Sequence, residues 1–72
     1  MSIPKSERIV GLVATRCKQL RTSKKLTHQD VLNDTGINIG RIESGSMDIT
    51  ITTVQKLADY FGVSVPEFFQ TD

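Results

Sequence analysis

Residues Thr27 to Gly45, THQDVLNDTGINIGRIESG, decide the reading of this chain. Thr27 followed three residues later by Asp30 is a helix N-cap with an anion near the positive helix end. Val31 and Leu32 are the inward-facing residues of that short helix. Asn33, Asp34, Thr35 and Gly36 are turn and cap formers, so the helix is expected to stop early. A second helix is expected from Asp34 or Thr35 to about Ser44, with Gly45 as its stop and Ile39 and Ile42 on its inner side. Two short helices joined by a tight turn make a unit in which one helix braces the other.

Outward from that pair the chain reads as helix on both sides. Upstream, Val10, Val13, Cys17 and Leu20 recur at spacings of three and four, predicting a helix from about Ser6 to Ser23 with Arg8, Arg16 and Lys18 off its apolar stripe. Downstream, Thr50 caps a helix that turns Ile51, Val54, Leu57, Ala58 and Phe61 inward and stops at Gly62. Ile49-Thr50-Ile51-Thr52 alternates like a strand, but the spacing that follows and the Thr50 cap favour helix. Ser64 and Glu67 form a capping box with Pro66 in the first turn, so a last helix buries Val65, Phe68 and Phe69. The expectation is an all-α, compact five-helix domain over residues 1–72, with its core at about 8–69 and no internal boundary.

Size and composition bound the possibilities. A chain of 72 residues buries only about 60% of the surface it exposes unfolded. Its apolar content of 38% is lean for a core, which makes a dimer worth considering. The formal charge of +1 hides an asymmetry. Residues 1–25 carry seven basic side chains against Glu7, a formal +6, and residues 26–72 carry Arg41 and Lys56 against seven acids, a formal −5. The basic part suits either a polyanion or a well-solvated helix. The single cysteine, Cys17, excludes an internal disulfide and a cysteine-based zinc site, and its place in the apolar stripe reads as core packing. The longest apolar run, Ile9 to Ala14, is too short for a signal peptide or a membrane span, so a cytoplasmic location is expected.

The third helix has a face that can be worked out. Successive helical residues turn by about 100°. With Ile39 and Ile42 inward, Ile37, Gly40, Arg41 and Ser44 point away, flanked by Gly36 and Asn38. Arg41 can donate a bidentate pair to guanine, worth about 1–3 kcal/mol of discrimination in the major groove. Ile37 suits a thymine methyl, or packs back on the second helix. Gly40 weakens the helix by about 1 kcal/mol relative to alanine, for a close approach either to nucleic acid or to a neighbouring helix. The second helix offers free N–H groups at Thr27, His28 and Gln29, preceded by Lys24 and Lys25, a suitable cradle for a phosphate. His28 reads either as a phosphate contact or as a solvated surface residue.

With these residues in place the chain resembles the lambda-repressor-like, Cro/repressor-type (XRE-like) helix-turn-helix family. The matching residues are Leu20-Arg21, Leu26-Thr27, Ile39-Gly40-Arg41-Ile42-Glu43, Gly45, and Leu57-Ala58 through Phe61-Gly62-Val63-Ser64. The resemblance implies a five-helix DNA-binding domain with its third helix in the major groove, and sequence-specific duplex binding, usually as a homodimer on a palindrome. It puts the base-reading positions on Gly36, Ile37 and Arg41, and phosphate contacts on Thr27, His28, Ser44 and Ser46. It also implies a brace between Arg21 and Glu43, which removes both from the DNA contacts. Two departures stand out. From Leu26 to Gly45 the chain is about one helical turn shorter than the family pattern, and the Asp34-Thr35 cap assigns the trimming to the second helix. The loop after the third helix, Gly45-Ser46-Met47-Asp48, has no cation.

The expected function is therefore a transcriptional regulator, repressor-like, that binds double-stranded DNA through a third helix of about residues 35–44. Gly36, Ile37, Gly40 and Arg41 are its base-reading residues, and Lys24, Lys25, Thr27, His28, Asn38, Ser44 and Ser46 its backbone contacts. The alternative is a protein-interaction or antitoxin-like module on the same fold with weak DNA binding. No enzyme is expected, since a lone histidine and the absence of a glycine-rich phosphate loop provide no catalytic set. No cofactor, metal, membrane or small-molecule domain is expected. A homodimer is expected through the fifth helix and the C-terminal tail, using Phe68 and Phe69 with Ile3 or Tyr60.

Overall fold

The computed structural model describes residues 5–46 and 49–70. Ile3 and the end of the tail, expected in a subunit contact, and Met47 and Asp48, expected after the third helix, lie outside the described residues. Among the described residues there are five helices and no strand: α1 Lys5–Ser23, α2 His28–Thr35, α3 Ile39–Glu43, α4 Ile51–Phe61 and α5 Val65–Phe68. α1 packs against α3 and α4, α2 against α3, and α4 against α5.

Three of the four predicted N-caps form, at Thr27, Thr50 and Ser64. Thr27 and Ser64 make reciprocal capping boxes with Asp30 and Glu67, and the Thr50 hydroxyl accepts the Thr53 N–H at 3.1 Å. Each satisfies donors that an uncapped helix end leaves bare. In both boxes the carboxylate accepts a backbone N–H, which holds Asp30 and Glu67 below their ordinary pKa.

The core is one cluster: Val13, Cys17, Val31, Ile39, Ile42, Val54, Leu57, Ala58, Phe61 and Phe68. Cys17 is fully buried, and burial, followed by the charge of Glu43, pushes its thiol up to about 12, so it is core packing and not a reactive thiol. Two residues expected inside face out. Leu32 is 38% exposed and Ile51, at the first position of α4, is 77% exposed. Val31 and Val54 take the inward positions on those helices. Phe68, expected to be buried by the last helix as well as offered for a subunit contact, lies in this core at 0% exposure and is the core phenylalanine, with Phe69 half-buried beside it.

The border between α2 and α3 differs from expectation. α2 runs its full length to Thr35, and α3 spans Ile39–Glu43 and not about 35–44. Gly36 closes α2 with φ 74°, a left-handed conformation that glycine adopts without a Cβ penalty, and donates its N–H to the Leu32 carbonyl at 2.8 Å. Thr35, expected as a cap for α3, serves the end of α2. Its hydroxyl donates to the Val31 carbonyl at 2.7 Å and accepts the Ile37 N–H at 3.0 Å. Asn38 becomes the cap of α3, its Oδ1 accepting the Arg41 N–H at 3.3 Å. The missing turn is taken from α3 because this arrangement brings Val31 and Ile39 into one core, both at 0% exposure.

Candidate nucleic-acid interface

The interface begins at the turn after α1. Lys25 has φ 58°, a left-handed conformation unusual for a residue with a side chain. Lys25 N–H donates to the Thr22 carbonyl at 3.0 Å and Leu26 N–H to the Arg21 carbonyl at 3.1 Å, a Schellman closure. The turn packs Leu26 against the core and leaves Lys24 and Lys25 exposed. Two residues later the N-terminus of α2 emerges. Its backbone N–H groups at His28 and Gln29 precede the first intrahelical bond and suit an anion, although the Asp30 carboxylate already partly neutralises this end. The Thr27 N–H, expected to be free, donates to Asp30 Oδ2 at 2.9 Å.

α3 is held from beneath by an ion pair. Arg21 Nε donates to Glu43 Oε2 at 2.7 Å and Arg21 Nη2 to Glu43 Oε1 at 3.0 Å, while Nη1 reaches the Leu26 carbonyl at 2.8 Å. The side chains are 13% and 8% exposed. Burial pushes the Glu43 carboxyl up, but the bonds and charges of Arg21 and His28 outweigh it and hold the group below its ordinary value. His28 adds a third link from α2, its Nε2 lying 3.2 Å from Glu43 Oε1. Donation to a carboxylate requires the proton on Nε2.

Of the expected base-reading residues, Gly36 and Arg41 are exposed and Ile37 is half-buried, packed against the core. Gly36 and Ile37 stand in the turn before α3 and not on the helix itself. Gly40 is turned toward α2. A Cβ there would lie 3.3 Å from His28 Nδ1 and 3.6 Å from its Cε1, so the imidazole occupies the space over this glycine. Its close approach is therefore made to a neighbouring helix. Among the described residues Arg41 has no ion-pair partner. Beside it a groove of about 250 Å³ is lined by Gly36, Ile37, Asn38, Arg41, Ile42 and Thr53.

The expected phosphate ligands after α3 are engaged internally. Ser44 Oγ donates to the Arg41 carbonyl at 2.8 Å and lies 2.8 Å from Ser46 Oγ, which is itself 3.2 Å from the same carbonyl. The backbone N–H groups of Ser44, Gly45 and Ser46 donate to Gly40, Ile42 and Arg41. A phosphate here competes with the cap of α3.

Long-range contacts that no local pattern announces complete the frame. Arg16, read as lying off the α1 stripe, donates from Nε to the Phe68 carbonyl at 2.6 Å and from Nη2 to the Glu67 carbonyl at 3.0 Å, and so caps α5. Tyr60 donates to Asp34 Oδ2 at 2.6 Å, and that bond chiefly pushes its hydroxyl up to about 12. Asp59 accepts from Gln55 at 2.9 Å. The acids of the second half that lie among the described residues thus serve caps and braces scattered over the fold. Among the groups free of such roles, Lys18, Lys24, Lys25, Arg41 and Lys56 are exposed cations.

Among the described residues no helix is long and apolar enough to cross a membrane, and no cluster of side chains could hold a metal ion. A family model described as helix-turn-helix matches residues 18–68, more than two thirds of the chain. No curated protein and no solved structure matches it.

Proposed function

The chain belongs to the lambda-repressor-like helix-turn-helix family, a family of DNA-binding regulators, and from that premise we propose that it regulates transcription by binding specific double-stranded DNA sites. The observation that carries the proposal is Arg41. It is an exposed cation without an ion-pair partner among the described residues, on a helix whose opposite face, Ile39 and Ile42, is buried. α3 is short. Five residues span about 7.5 Å, the length of about two base-pair steps of roughly 3.4 Å. Reading then falls to Arg41 together with the turn residues Gly36, Ile37 and Asn38. Arg41 pairs with a guanine edge and Ile37 meets a thymine methyl.

Phosphates are held by Lys24, Lys25 and the backbone N–H groups of His28 and Gln29 at the N-terminus of α2, while Thr27, Ser44 and Ser46 would reach a phosphate only by giving up their bonds within the fold. Two lysine contacts give a salt slope of about −2 for a monomer and about −4 for a dimer. Such low values make paired half-sites the working arrangement, and a homodimer supplies them. Its surface is the outer side of α5, where Val65 and Phe69 remain half-exposed.

Fluorescence polarisation with random and selected duplexes in about 50 mM salt tests the proposal. Expected is binding to random duplex at micromolar protein and tighter binding to selected sites. No binding at that salt would support the protein-interaction reading. Light scattering at several concentrations reads the dimer.

A further inference from the structure

We propose that the His28 imidazole is a positioning group that sets the angle of α3 against α2, seated on Gly40 and tied to Glu43, and that its role at the interface is this bracing, with any phosphate contact left to the backbone N–H groups beside it. The inference rests on the reading of α3 as the DNA-contacting element. His28 is the first residue of α2, and its side chain reaches to both ends of α3. At one end Nδ1 lies over Gly40; at the other Nε2 bonds Glu43 Oε1 at 3.2 Å. Both ring nitrogens are thus directed at α3, although the side chain is 54% exposed. The same carboxylate takes two bonds from Arg21 of α1, so three helices meet on Glu43.

Gly40 is the second half of the argument. A helix of five residues cannot form by itself, and glycine at its second position weakens it further. A Cβ at Gly40 would stand 3.3 Å from the imidazole, tighter than ordinary contact, whereas Asn38 Oδ1 at 3.4 Å tolerates it. The ring is therefore the group that must give way, by a few tenths of an ångström, when an alanine is placed there. α3 rests on α1 and α2 through Ile39 and Ile42, both in the core, and the seated ring adds a polar link on the α2 side.

The test is a cycle of His28→Ala, Gly40→Ala and the double variant, read by thermal unfolding and by duplex binding. In the His28→Ala background Gly40→Ala raises Tm by about 2–8 °C, the gain of alanine over glycine in a helix. In the chain that keeps His28 the gain is less than half of that, because the ring is displaced. Equal gains in both backgrounds would overturn the seat. On DNA, His28→Ala weakens binding about 3- to 10-fold with the salt slope unchanged, and has no further effect in the Gly40→Ala background. A weakening that persists in full in the Gly40→Ala background, or a slope reduced by about one unit, would instead make the His28 side chain a phosphate ligand, neutral in the first case and protonated in the second. The unfolding arm needs no DNA. A wild-type chain that binds no duplex would therefore refute the functional reading while the unfolding arm still judges the seat, and equal gains in a chain that binds DNA would remove the seat and leave the function standing.

Discussion

Replacing Arg21 by alanine removes the brace under α3. The change deletes the bonds of 2.7 and 3.0 Å to Glu43 and that of 2.8 Å to the Leu26 carbonyl. It leaves a carboxylate only 8% exposed with His28 as its remaining partner. Breaking a buried pair by removing one member costs about 3–5 kcal/mol, and an exposed pair at most about 1 kcal/mol. Glu43 borders a surface depression of about 390 Å³, also lined by Lys18, Gln19 and Thr22, through which water reaches it. The loss should therefore fall near about 2–3 kcal/mol. A domain of 72 residues has roughly 4–10 kcal/mol in total, so Tm should drop by roughly 10–20 °C.

The pH dependence has a definite sign. Glu43 lies below its ordinary pKa in the folded chain, so its stabilisation is present above the ordinary glutamate range and lost as pH falls through the lowered folded value. In Arg21→Ala the burial remains and the chief compensation is gone. The gap between the two proteins should then narrow on acidification. Urea unfolding followed by helical circular dichroism at pH 7 and about pH 3.5 measures it. A loss below about 1 kcal/mol at pH 7, or a gap that widens toward acid, would refute the reasoning. Arg21→Met combined with Glu43→Leu should come within about 1 kcal/mol of the wild type, since no unpaired charge is left.

Gly36→Ala should lower Tm by about 4–8 °C, the cost of about 1 kcal/mol for a left-handed alanine. No atom lies within 4 Å of the added Cβ, so an unchanged Tm would deny the left-handed closure of α2. Arg16→Ala should speed amide exchange at Phe68, Phe69 and Gln70 by about fivefold, the loss of roughly 1 kcal/mol of bonding to the end of α5. Exchange at Val31 should rise only with global stability, and equal rises at both places would remove Arg16 as the pin of α5. Arg41→Ala should cost about 1–3 kcal/mol on a selected site and relax one base pair. Lys24→Ala or Lys25→Ala should weaken all duplexes alike and flatten the salt slope by about one unit; the reverse pattern in a binding titration would exchange their roles.

The scattering of the acids bears on how the charge asymmetry is read. A formal −5 over residues 26–72 suggests an acidic surface for a partner. In the fold Asp30 and Glu67 complete N-caps, Glu43 pairs with Arg21, Asp34 accepts from Tyr60 and Asp59 from Gln55. Arg21 is paired with Glu43, whereas Arg16 keeps its charge on the neutral carbonyls of Glu67 and Phe68. Of these acids Glu43 is paired with a cation, whereas Asp30, Asp34, Asp59 and Glu67 are exposed and keep their charge on neutral partners, so the described acids lie among the cations of the same surface.

Sequence alone determined the parts of this protein governed by neighbours a few residues apart. Thr27, Thr50 and Ser64 cap their helices because a side-chain oxygen three residues upstream reaches a bare N–H in any context. Val13 with Cys17 and Leu57 with Phe61 turn inward because helical spacing puts them on one stripe. Only the tertiary structure decided where α2 ends, because Thr35 and Gly36 suit the end of one helix as well as the start of the next, and burial of Val31 against Ile39 selects the former. The same holds for the outward turn of Leu32 and Ile51, whose hydrophobicity says nothing of which neighbours arrive. It holds also for His28 on Gly40 and Glu43 and for Arg16 on the end of α5, contacts between residues up to 52 apart. These depend on how whole helices pack, and no periodicity within one helix records that.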